Sequence, residues 1–206
     1  MKVRLFVAAI IATFGGVRQV IAQTQKLLVG LDASTGVLLW QMPFTTDFDQ
    51  NAFTPVVFQD LLIFSGIDWP LTAIRLKLDD GNWIGETAWT NPHTPMFMSS
   101  PVLIGGTIYG LTYRGRGQFV AIDAASGKTL WTTQGREGAN ASILGGPSWL
   151  LASTTDGTLV VARANPKKYE EVRRYQIAES AVWAHPAITA NSIIVKDADK
   201  VICWSF

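Results

Sequence analysis

The chain has 206 residues, 48% hydrophobic and 16% charged, which makes it core-rich and excludes a disordered segment. A formal net charge of +1 with no basic stripe excludes a nucleic-acid footprint. A single cysteine, Cys203, excludes an internal disulfide and a thiolate metal cluster.

Met1-Lys2-Val3-Arg4 is a basic start, and an apolar run follows from Leu5 to Phe14. Residues 1–15 fit two readings: a secretory leader, cleaved after Gly15 or Ala22, and a buried first strand. The leader reading places the mature chain in the periplasm or outside the cell. The run is too short to span a membrane, and no later segment is long and apolar enough to do so.

Leu31-Asp32-Ala33-Ser34-Thr35-Gly36-Val37-Leu38-Leu39-Trp40 reads as strand, tight turn, strand, and Ile122-Asp123 to Trp131 repeats it. In both copies Asp precedes Gly by four positions and Gly precedes Trp by four. The Asp side chain can accept hydrogen bonds from backbone groups ahead of it, and Gly tolerates the positive φ of the turn. Asp32 and Asp123 are therefore turn-makers.

A second series of anchors marks where each unit begins. Thr54-Pro55-Val56, Ser100-Pro101-Val102 and His185-Pro186-Ala187 each place Pro at the first residue of an apolar strand, where no ladder hydrogen bond is lost. Asn140-Ala141-Ser142 fits the same frame with Ala in the Pro position. The steps from Pro55 to Pro101, Ala141 and Pro186 are 46, 40 and 45 residues. Each unit reads as four short strands; in the third they are 102–104, 108–111, 118–122 and 129–132. Four strands at this period match a β-propeller blade. The predicted fold is all-β, with four-stranded antiparallel blades at 16–44 (incomplete at its start), 53–91, 99–135, 140–177 and 184–206 (without an outer strand). Gly105-Gly106 and Gly145-Gly146 are expected at hairpin turns, and Cys203, between Ile202 and Trp204, as a small buried hydrophobe.

The Asp-x-x-Ser/Thr-Gly-x-x-x-Trp turn resembles the tryptophan-docking repeat of the quinoprotein-like, or pyrroloquinoline-quinone-like (PQQ-like), β-propellers. That superfamily includes quinoprotein alcohol dehydrogenases and the lipoprotein scaffold of the outer-membrane barrel assembly machinery. The resemblance is good in units one and three, and unit two keeps Ala73, Gly81 and Trp89 around an insertion at Asn82-Trp83. Unit four has Arg163 in place of the Asp, and Tyr175 is expected at its Trp position. The resemblance implies that Trp40, Trp89, Trp131 and Trp204 pack between blades against turn glycines such as Gly36 and Gly127. Family members generally close with seven or eight blades. About four and a half are legible here, so the chain either closes as an unusually small propeller or, the favoured reading, is a partial propeller whose open strand edges meet further blades, a second copy or another protein.

A quinone dehydrogenase needs a calcium-bound quinone, a catalytic Asp and a vicinal disulfide. One cysteine rules out the last, and no Asp/Asn/Glu cluster maps onto the metal site. His93 and His185 have no metal-ligand spacing, and no nucleophile elbow or phosphate loop occurs. The reading is therefore no catalytic residue, no metal and no cofactor, with PQQ and calcium belonging only to an alternative oxidoreductase reading. The candidate binding face comes from the loops that precede each unit and the polar residues at their ends: Asp49, Asn51, Thr54, Ser100, Glu137, Asn140, Trp183 and His185. These positions would face the channel mouth of a propeller, either binding a protein partner or merely solvating the channel. The Tyr113–Gly117 tip adds two cations for an acidic partner, or is a solvated turn. A carbohydrate-binding propeller is a further alternative, with Trp69 and Trp183 as exposed stacking surfaces.

Overall fold

The computed structural model describes residues 8–47 and 50–205. Over these residues the chain forms five antiparallel sheets. The first orders its strands as β1 (Ala8–Phe14), β2 (Val17–Gln23), β3 (Leu27–Asp32) and β4 (Leu38–Pro43). The second contains β5 (Val56–Phe58), β6 (Leu61–Gly66), β7 (Trp69–Asp79) and β8 (Asn82–Asn91). The third contains β9 (Val102–Ile104), β10 (Thr107–Thr112), β11 (Gln118–Asp123) and β12 (Thr129–Thr132). The fourth contains β13 (Ala141–Gly146), β14 (Trp149–Thr154), β15 (Thr158–Arg163) and β16 (Glu171–Gln176). The fifth has three strands: β17 (Ala187–Ile188), β18 (Ser192–Lys196) and β19 (Val201–Ser205). Every sheet is a meander of neighbouring strands, the topology that four short strands joined by tight turns dictate.

The first sheet extends further toward the N-terminus than the repeat frame indicates. Ala8–Phe14 pairs along its whole length with Val17–Gln23, through a Gly15-Gly16 turn at φ 54° and 79°. Two successive left-handed residues make a turn whose twist matches the flanking strands, and glycine adopts them without strain. Unit one is therefore complete from Ala8, not open at Gly16. The corresponding glycines at 105 and 106 also make a turn. Gly145-Gly146 does not: both lie within β13, opposite Leu150 and Trp149, and the chain reverses at 147–148.

The turn and the bulge beside it repeat closely. Gly30 faces Trp40, Ala73 faces Trp89 and Ala121 faces Trp131, and each pair is followed by a bulge. The same bulge in sheet four places Arg173 opposite Val161, so Arg173 holds the Trp position and Tyr175 lies two residues beyond it. In sheet five Trp204 pairs with Ile193 on the third strand, not on an outer strand, and it is 46% exposed. The turn itself is closed by Asp32, whose Oδ1 accepts from Ser34 N at 2.9 Å and Thr35 N at 2.8 Å.

Packing divides the chain into two compact units, Met1–Met98 with Ala124–Lys128, and Ser99–Asp123 with Thr129–Phe206. The turn Ala124–Lys128 joins the first unit because residues of β8 hold it. Trp89 Nε1 donates to Ala124 O at 3.2 Å and Asn91 Nδ2 to Gly127 O at 2.8 Å. A Cβ on Gly127 would come within 2.3 Å of the Trp89 ring. Trp40 behaves differently: it lies over Gly30 of its own sheet and donates to Gln19 at 2.7 Å, while a Cβ on Gly36 would meet nothing within 4 Å. The core of the first unit gathers Phe44, Phe64 and Trp69 in edge-to-face contacts with ring centroids 5.3 Å and 4.9 Å apart. Trp69 is thus packed against Phe44 and not an open stacking surface.

In the second unit, sheets three and four bury Leu111, Phe119, Ile143, Ala152 and Val160 against one another, with Trp131 and Tyr169 at the edge. Trp131 Nε1 donates across that seam to Asn165 O at 2.8 Å. Sheets four and five meet through Leu159, Ile177, Ile193 and Val195. A single sheet cannot cover both of its faces, and these seams do so. Cys203 is exposed, because neighbouring residues of an edge strand alternate sides and its face is not covered.

Candidate functional site

The loops between sheets are locked to the turns that join second and third strands. Asn51 is fully buried; its Nδ2 donates to Thr24 O at 2.5 Å and to Gln25 O and Phe44 O at 3.1 Å, and its Oδ1 accepts from Thr46 Oγ1 at 2.6 Å. Met96 N donates to Ser65 Oγ at 3.0 Å. Arg136 N donates to Gly115 O and Glu137 N to Gly117 O. Val182 N donates to Thr155 O, and Ser180 Oγ accepts from Ala198 N. The physical reason is common to all four: an irregular segment cannot satisfy its own backbone, so it borrows partners from the nearest turn.

This arrangement sorts the residues singled out in the sequence. Asp49 lies outside the described residues. Asn51 is an internal brace with its amide saturated. Asn140 O accepts from Thr155 N at 3.0 Å, bracing the turn beside it. Ala141 N donates to Ser99 Oγ at 2.9 Å, so Ser99 also holds this loop. Thr54 and Ser100 are half-buried at the mouths of β5 and β9. Glu137 turns its carboxylate to Arg174 at 2.7 Å, and Arg174 also holds Glu171 at 2.8 Å. Glu171 first, and then Glu137, pushes the Arg174 guanidinium above its ordinary range. Trp183, 62% exposed, and His185, also exposed, remain as free side chains on the loop before β17.

The strand-to-strand turns supply the half of the site that the sequence frame left aside. The 114–116 turn, a 3-10 segment, packs against the 135–138 loop so closely that a Cβ on Gly117 would overlap Gly138 O. Between them lies an open cleft of about 530 Å³ lined by Tyr113, Arg116, Gly117, Arg136, Gly138 and Ala139. Arg116 and Arg136 both have left-handed backbones, φ 63° and 67°, a conformation that costs about 1–2 kcal/mol for a residue with a Cβ. The backbone bonds between turn and loop hold them there. Arg114 Cζ lies 5.3 Å from the Tyr113 ring centroid. The adjoining carboxylate of Glu137 is taken by Arg174, and among the described residues Arg114, Arg116 and Arg136 form no ion pair. The Tyr-Arg-Gly-Arg-Gly tip at 113–117 is its main trace in the sequence.

Among the described residues, no three His, Cys, Asp or Glu side chains are grouped so as to hold a metal ion. No described helix is long and apolar enough to cross a membrane.

Comparison with known proteins places this architecture. The profile of the family described as outer membrane protein assembly factor BamB matches residues 77–198, more than half of the chain. The crystal structure of BamB from Moraxella catarrhalis superposes with a TM-score of 0.56 at 17% identity, covering 91% of this chain and 70% of that one. The computationally designed Ika8 protein superposes with a TM-score of 0.55 at 12% identity, covering 95% and 70%. No curated protein matches the sequence. The five antiparallel sheets and the family match together make the chain a member of the PQQ-like β-propeller family of the outer membrane protein assembly factor BamB.

Proposed function

We propose that the chain is a non-catalytic interaction scaffold that presents its inter-sheet loops to a protein partner in outer-membrane protein assembly. The observation that carries this reading is the division of labour in the loops. Backbone bonds and Asn51, Asn140 and Glu137 fix the loop frames, while Trp183 and His185 project from the loop before β17. A rigid frame with an exposed aromatic loses little entropy on association, as a protein-binding surface requires. Family membership supports the same role and a periplasmic location.

The quinone reading fits the residues less well. PQQ with calcium needs a carboxylate-rich seat, and the described residues offer no such grouping. Cys203 alone cannot form a vicinal disulfide. Adding PQQ and Ca²⁺ to the full chain is therefore expected to leave its melting temperature unchanged and to give no dye-linked oxidation of alcohols or sugars. A rise in melting temperature accompanied by dye reduction would overturn the scaffold reading.

A further inference from the structure

Two arginines line one cleft of the second unit and a third stands beside it, and among the described residues none of the three forms an ion pair. Arg116 comes from the turn between β10 and β11, Arg136 from the loop before β13, and Arg114 stacks beside them on Tyr113. Guanidinium groups present rigid forks that match carboxylates in a bidentate way. Three charges held together repel one another, and an incoming anion relieves that repulsion. Gly117 lets the 114–117 turn pack directly on Gly138 O, which fixes the two arginine-bearing segments side by side. Its volume of about 530 Å³ lies inside the range of roughly 300–1,000 Å³ typical of ligand pockets.

We propose that this cleft is a carboxylate-binding site whose occupant is an acidic, extended segment of a partner protein. The inference rests on the scaffold reading and names the chemistry of one contact. A lipid surface fits less well, since polybasic membrane patches carry about four to eight cations on a flat or helical face, whereas two arginines line a recess here with a third beside it. Nucleic acid fits less well because the net charge is +1 and no basic stripe leads away from the cleft.

The test uses the full chain and a fluorescein-labelled hexaglutamate peptide, read by fluorescence anisotropy at low salt, with hexaglutamine as the neutral peptide. Arg116→Gln combined with Arg136→Gln should weaken hexaglutamate binding roughly tenfold or more. The charge-matched pair Arg75→Gln with Arg163→Gln, whose arginines already face Asp60 and Glu170, should change it by about twofold at most. Failure of the wild type to bind hexaglutamate in preference to hexaglutamine, or equal losses in both double variants, would overturn the proposal. Selective loss of binding to phosphatidylglycerol vesicles with peptide binding intact would overturn it in favour of a lipid surface. Crosslinking of the partner through position 183 is measured separately. If it persists while the peptide fails to bind, the cleft assignment falls and the scaffold reading stands.

Discussion

Gly36 and Gly127 occupy the same position in two copies of one turn and differ in a single respect. Both have left-handed backbones, φ 74° and 71°, so an alanine at either site incurs about 1–2 kcal/mol of conformational cost. Over Gly36 there is open space, whereas the Trp89 ring would lie 2.3 Å from a Cβ on Gly127. Gly127→Ala must also displace an indole that is 9% exposed and bonded to Ala124 O, and overpacking of that kind costs about 1–3 kcal/mol. For a chain of this size 1 kcal/mol corresponds to roughly 2–4 °C in melting temperature. Gly127→Ala should therefore melt roughly 2–12 °C below Gly36→Ala, measured by circular dichroism at matched scan rate. In a Trp89→Ala background the gap should collapse, because the clashing group is gone. Equal melting temperatures for the two alanine variants, within about 1 °C, would refute the docking of Trp89 on Gly127.

Three further outcomes follow from individual residues. Asn51→Ala should lose about 1–3 kcal/mol in urea denaturation, since it leaves the carbonyls of Thr24, Gln25 and Phe44 without their buried donor. Hydrogen bonds from Ser34 and then Thr35 depress Asp32 to about 2, below the unfolded value near 3.9. Its stabilisation is thus complete above about pH 4 and is lost as the pH falls toward 2, so Asp32→Asn should flatten the acid side of the stability profile there. Trp183→Ala should stay within about 0.5 kcal/mol of wild type in denaturation, yet reduce capture of the partner by crosslinking.

The blade period and the docking turn were legible because each rests on a few residues with local jobs: Asp32 closing a turn, Gly127 supplying positive φ, Pro55 and Pro101 opening strands. Gly15-Gly16 carries an equally clear hairpin signal, but the apolar run before it also fits a leader, and composition does not separate a cleaved apolar segment from a first strand. Register was harder. Tyr175 looks like the aromatic of the docking position, but the bulge after Val161 assigns that position to Arg173, and a bulge leaves little trace in composition. Trp40 and Trp204 share the residue type of Trp89 without packing on a turn glycine: one turns onto Gly30, and the other sits on a third strand with its indole bonded to Ile177 O at 3.1 Å. The arginine cleft was half visible as a charged tip. Its other half, Arg136, is twenty positions from Arg116, brought there by backbone bonds between two glycine-rich segments that no periodicity encodes.

The central claim is that the exposed loops of this scaffold meet a protein partner. Its most direct test is photocrosslinking from position 183, carrying benzoylphenylalanine in place of Trp183, in cells that express the full chain natively. Position 37, an exposed turn residue of the first sheet, serves as the comparison. A product is expected at position 183, identified by mass spectrometry as an outer-membrane assembly component, and none at position 37. A product at position 37 with none at position 183 would contradict it.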